Sequence, residues 1–435
     1  MKLDRRDFLK LSGSSVIATS LLSGVGSFTF AKKMEELSLP KPSRNSPRVV
    51  IVGAGWSGLT VAKYIKKGNP NVDVVLIDKR QEFFSCPVSN LWLVNLVNLE
   101  FLMHDFLTPA NRHGYHMLTG TSVIDVDRGG RKVYTDKGVI SYDYLVLAPG
   151  IDYYYEAWIK DPKDIELAQV RYPAGFIPAS EHIRIKQKIQ NFEKGNFVLT
   201  VPPGLDYRCL PAPYERATLI AWYFKKNNIP GKVVLVDNHP DPPVKAKGFH
   251  YAWDNLVKGY VEYYPNAGIK SVDVNGRKIS TEAYGDIDFD DGAIYPMCKA
   301  GDIVFKAGLV KKGERWPEID PLKYHAVGDE RVYVTGDSRN QPFSKSGNTA
   351  NTEAHYVAKL ILAKISGKDI AYEPPRTLCY SAVAPDGAIW IDLTYKYLGG
   401  GKFEFADVKL DEQPKESNYK AYIEWAKGLY RDMFA

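Results

Sequence analysis

After Arg48 a run of β-branched residues, Val49-Val50-Ile51-Val52, passes without a break into Gly53-Ala54-Gly55-Trp56-Ser57-Gly58. A continuous apolar run of this kind is a strand buried on both faces, as in a parallel sheet. Helical sequence follows from Leu59 to Lys67, and a second strand, Val72 to Ile77, ends at Asp78. Strand, glycine turn, helix, strand and acid in that order form a dinucleotide-binding unit. Gly53 permits the tight turn, Gly55 lets the backbone approach a pyrophosphate, and Gly58 lets the helix pack closely on the strand. The helix N-terminus offers free N–H groups and the positive end of its dipole to the phosphates. Asp78, twenty-five residues beyond Gly53, is placed to accept ribose hydroxyls.

A second βαβ unit is expected downstream. Asn196–Val201 and Lys232–Asp237 read as its strands, with a helix between them from about Tyr214 to Lys226. Its turn, Pro202 to Pro213, keeps a single glycine, so it cannot cradle a pyrophosphate as the first turn does. A reduced pyridine nucleotide is therefore not the expected electron source. Tyr142–Gly150 is a strand running into a Pro-Gly turn, and Val332–Asp337 is a strand ending in Gly-Asp. Both resemble segments of flavoproteins built on two dinucleotide domains. That resemblance implies FAD in the first unit, with Gly336 and Asp337 at its ribityl chain. On its residues alone the alternative for Asp337 is a turn residue capping a loop. Ser344-Lys345-Ser346-Gly347-Asn348 leads into a further helix. If the flavin pyrimidine faces that N-terminus, Lys345, Gly347 and the helix dipole favour an anionic reduced ring.

The 435 residues thus read as α/β: two Rossmann-like dinucleotide-binding domains in a glutathione reductase-like arrangement, with a C-terminal α+β domain. Arg5-Arg6 before the uncharged stretch Leu11–Phe30 is the twin-arginine export pattern, so residues 1–31 are expected to be a signal peptide. The twin-arginine pathway exports folded proteins, often with a cofactor bound, and the bacterial periplasm is the expected location. Residues 32–47 read as a linker. The FAD domain is expected over 48–150 and 286–365, the second domain with its degenerate NAD site over 151–285, and the C-terminal domain over 366–435. Within the last, Ile389–Tyr395 alternates like a strand. Asn418–Phe434 reads as an amphipathic helix with Tyr422, Trp425, Leu429 and Phe434 on one side, suited to core packing or a contact between copies rather than to a bilayer. After the leader no run of about 18 apolar residues occurs, so no integral membrane segment is expected. A formal net charge of +6 is too balanced for a nucleic-acid binder. Four cysteines cannot form a disulfide framework, so each is an individual chemical device or a buried filler.

Three cysteine segments carry a more specific resemblance. Phe83-Phe84-Ser85-Cys86-Pro87-Val88-Ser89-Asn90 is similar to the segment with the flavin-linked cysteine in the flavoprotein subunit of flavocytochrome c sulfide dehydrogenase. Arg208-Cys209-Leu210-Pro211-Ala212-Pro213-Tyr214-Glu215-Arg216 resembles that family's Arg-Cys-Pro-Pro-Gly-Pro-Tyr-Glu-Arg, and Thr377-Leu378-Cys379-Tyr380-Ser381 its C-terminal Asn-Thr-Cys-Tyr-Ser. The resemblance runs from about residue 48 to Ala435.

It implies that Cys86 is the 8α-S-cysteinyl attachment point of FAD; read from the residues alone, Cys86 is a loop thiol or a small buried hydrophobe. It implies that Cys209 belongs to a redox disulfide attacked by sulfide, with Glu215 handling protons. The residues themselves place Cys209 before a helix N-terminus beside Arg208 and near Arg216, where a thiol pKa should fall. They also allow a structural thiol and a surface carboxylate. In the family the partner cysteine is expected in a Trp-Cys-Pro-Val-Asp segment; here Glu314–Asp320 holds no cysteine, and Trp316 stands at that position. Cys298, in Tyr295–Ala300, is the expected substitute; otherwise Cys209 acts alone or sulfide oxidation is lost. Cys379 is expected to be a structural core residue, and His113 and His116 surface histidines.

The resemblance implies a periplasmic dehydrogenase for sulfide or a related sulfur compound. No Cys-x-x-Cys-His is present, so the electrons should pass to a separate c-type cytochrome subunit. A sulfide:quinone reductase is the first alternative, separated by whether cytochrome c or quinone accepts the electrons. A non-catalytic flavoprotein subunit of a sulfur-oxidising complex is the second, and its flavin would not bleach with sulfide.

Overall fold

Val49, Val50 and Ile51 are wholly shielded from solvent, as are Val75, Leu76 and Ile77 on the neighbouring strand. A computed structural model describes residues 34–435. The signal peptide expected at 1–31 lies outside the described residues. Arg48–Val52 lies between Asp73–Ile77 and Tyr144–Leu147, parallel to both. His116–Leu118 extends the sheet on one side and Asp329–Val334 on the other, both parallel. A short antiparallel edge strand, His325–Ala326, closes it. The helices Trp56–Gly68 and Gly347–Ile365 pack against each other. The stretch expected as a linker is bound rather than loose. Leu37 N–H donates to Val139 O at 2.8 Å, Pro40 O contacts His116 Nε2 at 2.8 Å, and Leu39 O accepts from Arg48 at 2.7 Å.

The second unit is a four-stranded parallel sheet of Val261–Tyr264, Gly231–Asp237, Gly195–Val201 and Asp291–Ala293. The expected return to the first unit at residue 286 comes too early. Asp286–Asp288 still pairs with Lys278–Thr281, and Asp291–Ala293 completes the second sheet because Gly292 fits under the Val198 backbone. The chain crosses back at Met297–Ala300, which pairs antiparallel with the outgoing strand Ile151–Tyr154.

The C-terminal unit is an antiparallel sheet, Arg376–Ala384, Gly387–Gly399 and Lys402–Lys415, followed by the helix Glu416–Phe434. Its first strand packs on both Ala212–Lys226 and Gly347–Ile365, so it bridges the two nucleotide-type units. The helix buries Tyr422, Ala426, Leu429, Tyr430 and Met433, a stripe at helical spacing. Tyr430 stacks on Trp56 with ring centroids 5.9 Å apart, and Lys63 Nζ donates to Asp432 O at 2.6 Å. The expected apolar face thus closes on the protein's own first unit. Among the described residues no helix is long and apolar enough to cross a membrane.

Candidate active site

The glycine turn is built as its spacing requires. Gly53 has a φ of +101°, and a Cβ there would stand 2.4 Å from Ala148 O. A Cβ on Gly58 would stand 1.9 Å from Gly53 O, so strand and helix meet only through glycine. A Cβ on Gly55 would meet nothing within 4 Å, which leaves the helix N-terminus open toward the crevice. Asp78 ends its strand as expected. Its carboxylate accepts from Ala54 N–H at 2.7 Å and pairs with Arg80 at 2.8 Å.

Across the crevice, Gly336 and Asp337 follow the strand Asp329–Val334. One Asp337 oxygen pairs with Arg208 Nε at 3.1 Å, while Oδ1 is buried without a partner. A buried carboxylate oxygen lacking a donor is costly, and a ligand hydroxyl would satisfy it. Behind it, Glu353 accepts from Thr335 Oγ1 at 2.9 Å, from the Gly336 N–H, and from Arg339 Nε at 2.6 Å. Lys345 is buried, donates to Asp337 O at 3.0 Å and Arg339 O at 2.6 Å, and burial with the Arg339 charge lowers it to about 7. Gly347 opens the next helix, capped by Ser346. An open glycine turn facing an orphaned aspartate oxygen fits a flavin dinucleotide.

A cavity lies where the three units meet, and Cys86, Cys209, Glu215, Cys379, Tyr422 and Trp425 are among its walls. Cys86 Sγ is 3.4 Å from Phe176 O and 3.7 Å from His182 Nε2. Burial pushes its thiol up, against the pull of Arg208 and Arg216. Val88, two residues on, has φ +71°, and Cys209 has φ +56°. Left-handed conformations at non-glycine residues cost about 1–3 kcal/mol each and concentrate at functional sites. The Cys209 N–H donates to Lys345 O at 2.7 Å, tying the second unit to the flavin segment.

Cys209 is not the activated thiol its neighbours suggested. Arg208 turns to Asp337 and to Phe176 O, and Arg216 to Ala174 O, Gly175 O and Asn90 Oδ1. Neither guanidinium pairs with the sulfur. Cys209 and Cys379 both line the cavity, and their interaction raises Cys209 and lowers Cys379. Lys245 Nζ, 3.8 Å from Cys379 Sγ, acts in the same direction on Cys379.

The cavity thus brings Cys379, expected to be structural, together with Cys209, and Cys298 is not among its walls. Cys298 is wholly buried on the crossing strand, paired in register with Tyr153, 3.4 Å from Tyr295 Oη, and burial raises its thiol to about 11. Trp316 stands away from the cysteine pair: its Nε1 donates to Asp206 at 2.9 Å and Lys345 Nζ lies 3.6 Å over its ring. One signal was available. Cys86, Cys209 and Cys379 all lie in segments that carry the family resemblance, and Cys298 does not.

Glu215 is a buried wall of the cavity rather than a surface carboxylate. It accepts from Asn90 Nδ2 at 2.9 Å and from the Ala382 N–H at 2.8 Å, and burial pushes its pKa up to about 7 against those bonds. His113 and His116 are half-buried and contact backbone carbonyls of Ala435 and Pro40.

In the second unit Asp237, where a nucleotide ribose would be met, is occupied internally. It accepts from Tyr214 Oη at 2.7 Å, Tyr263 Oη at 2.9 Å and His239 Nδ1 at 2.8 Å. His239 Nε2 in turn contacts Gly204 O at 2.8 Å, closing the proline-rich turn over the strand end.

Comparison with known proteins gives three family models. Residues 47–157 match the pyridine nucleotide-disulphide oxidoreductase model. Residues 183–291 match the central part of the sulfide dehydrogenase [flavocytochrome c] flavoprotein chain, and 374–434 the flavocytochrome c sulphide dehydrogenase flavin-binding model. The sulfide dehydrogenase flavoprotein chain of Chlorobaculum thiosulfatiphilum is 44% identical over 43 residues, 10% of this chain and 90% of that sequence. Mouse mitochondrial sulfide:quinone oxidoreductase is 24% identical over 320 residues, 70% of this chain and 68% of its own. The chain spans only 25% of the NADH oxidase of Methanocaldococcus jannaschii, at 34% identity over 113 residues, 24% of this chain. In fold it resembles the sulfide:quinone oxidoreductase of Aquifex aeolicus, with TM-score 0.75, 16% identity, and 89% of this chain and 92% of that one covered.

Proposed function

The chain belongs to the flavocytochrome c sulfide dehydrogenase flavoprotein family, and from that premise we propose that it is an exported, periplasmic FAD-dependent sulfide dehydrogenase that delivers electrons to a separate c-type cytochrome. The observation that supports this reading is a single cavity lined by Cys209, Cys379, Cys86 and Glu215. In the oxidised protein these two sulfurs form a disulfide. Hydrosulfide attacks one of them, the S–S bond breaks, a persulfide forms, and the other cysteine leaves as thiolate with the electron pair. The hydrosulfide proton passes to Glu215, whose pKa near 7 suits a proton acceptor at neutral pH. Gly53, Gly55, Gly58, Asp78, Gly336, Asp337, Lys345 and Gly347 would hold the dinucleotide, and Cys86 would be the side chain placed for its covalent attachment. Bound FAD supplies acceptance of an electron pair and its release one electron at a time. The proposed export rests on Arg5-Arg6 and the uncharged stretch that follows.

One experiment tests the reading. The purified protein, denatured in acid, should keep its flavin on the chain. Anaerobic sulfide should bleach it, and oxidised cytochrome c should restore the colour. Flavin lost on denaturation removes the tether, recovery with quinone but not cytochrome c assigns a sulfide:quinone reductase, and no bleaching leaves the accessory-subunit reading.

Glu215 makes the proton transfer measurable. Asn90, Tyr422, Lys245, Cys209 and Cys379 are the polar and titratable groups that face it. The bleaching rate, expressed per hydrosulfide anion, should rise through about pH 7 and level off above it. Glu215→Gln should give a flat profile about a hundredfold below that plateau, the lower range for loss of a general base. A stopped-flow pH series that leaves the wild-type inflection in the variant removes Glu215 from the proton step.

A further inference from the structure

The second unit no longer presents a nucleotide site, yet the ends of its strands still aim at chemistry. Past Val201 the chain carries Cys209 and Glu215 into the cavity. Past Asp237 it carries Lys245, which is 3% exposed and held in the left-handed region at φ +61°. Lys245 Nζ donates to Ser381 Oγ at 2.7 Å and to Cys379 O at 3.3 Å, and stands 3.8 Å from Cys379 Sγ. No carboxylate pairs with it among the described residues. A buried Lys245 side chain fixed by a hydroxyl and a carbonyl, faced by Glu215 without an ion pair to it, is placed for a negative charge that arises on the sulfur beside it.

We propose that Lys245 is a catalytic residue of the sulfur chemistry, holding Cys379 as the leaving thiolate so that sulfide attacks Cys209. The proposal rests on the redox-pair reading above and deepens it by assigning the two sulfurs. Hydrosulfide adds to Cys209 Sγ and forms the new S–S bond of a persulfide. The Cys209–Cys379 bond breaks, and its electron pair departs on Cys379 Sγ beside the Lys245 ammonium. The incoming sulfur is oxidised, the Cys379 sulfur is reduced, and the hydrosulfide proton goes to Glu215. The opposite polarity would leave the charge on Cys209, which Lys245 faces without the 3.8 Å contact it makes to Cys379, while Arg208 and Arg216 are committed elsewhere. In thiol–disulfide exchange the thiol of lower pKa leaves faster. Cys209 and Lys245 lower Cys379, while burial opposes them. Glu215 and Tyr422 complete the titratable groups that face Cys379.

The test titrates Cys379 in the reduced holoprotein. Iodoacetamide is applied across a pH series, and modification of each cysteine is read by peptide mass. Cys379 should react with a midpoint below that of an ordinary thiol, with Cys209 above it. In Lys245→Met the Cys379 midpoint should rise by at least about one unit, a roughly tenfold slower reaction below neutrality, and Lys245→Arg should restore most of it. After brief sulfide treatment the trapped extra sulfur should sit on Cys209. An unchanged midpoint in a Lys245→Met protein that keeps wild-type circular dichroism and flavin content overturns the proposal. So does an extra sulfur on Cys379. If Lys245→Met does not fold, a wild-type Cys379 midpoint at or above the ordinary thiol value is itself decisive against it. A shifted midpoint in a protein that sulfide never reduces keeps the Lys245–Cys379 pair and rejects the redox reading instead.

Discussion

Cys209→Ser and Cys379→Ser are each expected to slow sulfide-driven flavin bleaching by at least about a thousandfold, while dithionite still bleaches both proteins. The size follows from the chemistry: a serine oxygen cannot form the disulfide that accepts the electron pair. The two residues act as a unit, so the double variant should be no slower than either single one. Cys298→Ser is the internal contrast and should stay within about threefold of wild type. Its sulfur is wholly buried against Tyr295 and forms no wall of the cavity. Anaerobic stopped-flow spectra of the four proteins decide the matter. A Cys379→Ser protein bleaching at the wild-type rate ends the redox-pair assignment, and a dead Cys298→Ser protein of normal fold restores Cys298 as the partner of Cys209.

The largest stability loss is expected at Glu353→Ala, about 3–5 kcal/mol. Glu353 and Arg339 are both fully buried, and their pair has an N–O separation of 2.6 Å. Removing the carboxylate leaves a guanidinium in the core with only backbone carbonyls of Gln341, Phe343 and Ser344 to accept from it. It also releases the Thr335 hydroxyl and the Gly336 N–H, which shape the turn presenting Asp337. Flavin retention should therefore fall together with the urea midpoint. Replacing both partners by apolar residues, as in Arg339→Met with Glu353→Leu, should recover part of the stability, because no charge is then left buried. It should not recover flavin retention, since the turn still lacks its acceptor. A Glu353→Ala protein that keeps both its midpoint and its flavin means that the pair does not organise the turn.

The first crevice was readable in the sequence because its physics is local. Gly53, Gly58 and Asp78 act within one strand–helix–strand unit, and their spacing is set by element lengths that a sequence pattern displays. The end of the second domain was misplaced because Asp286–Asp288 and Asp291–Ala293 are too short to show a period, and Gly292 is demanded only by the Val198 backbone above it. The expectation of an activated Cys209 failed to anticipate its surroundings for a related reason. Arg208 and Arg216 adjoin Cys209 in sequence, but their guanidinium groups turn to Asp337, Asn90 and backbone carbonyls in other segments.

The order of residues, taken alone, determined two nucleotide-type units, a glycine turn left intact in one and lost in the other, and the cysteine segments worth watching. Periodicity and turn chemistry act over a few residues, and that is enough to specify them. Which sulfur meets which, and which cation stands beside it, was decided only when three separate units closed on one cavity. Cys209 and Cys379 are 170 residues apart, and Lys245 is 134 residues from Cys379. Contacts at that range are selected by how whole sheets and helices pack, so no local pattern encodes them.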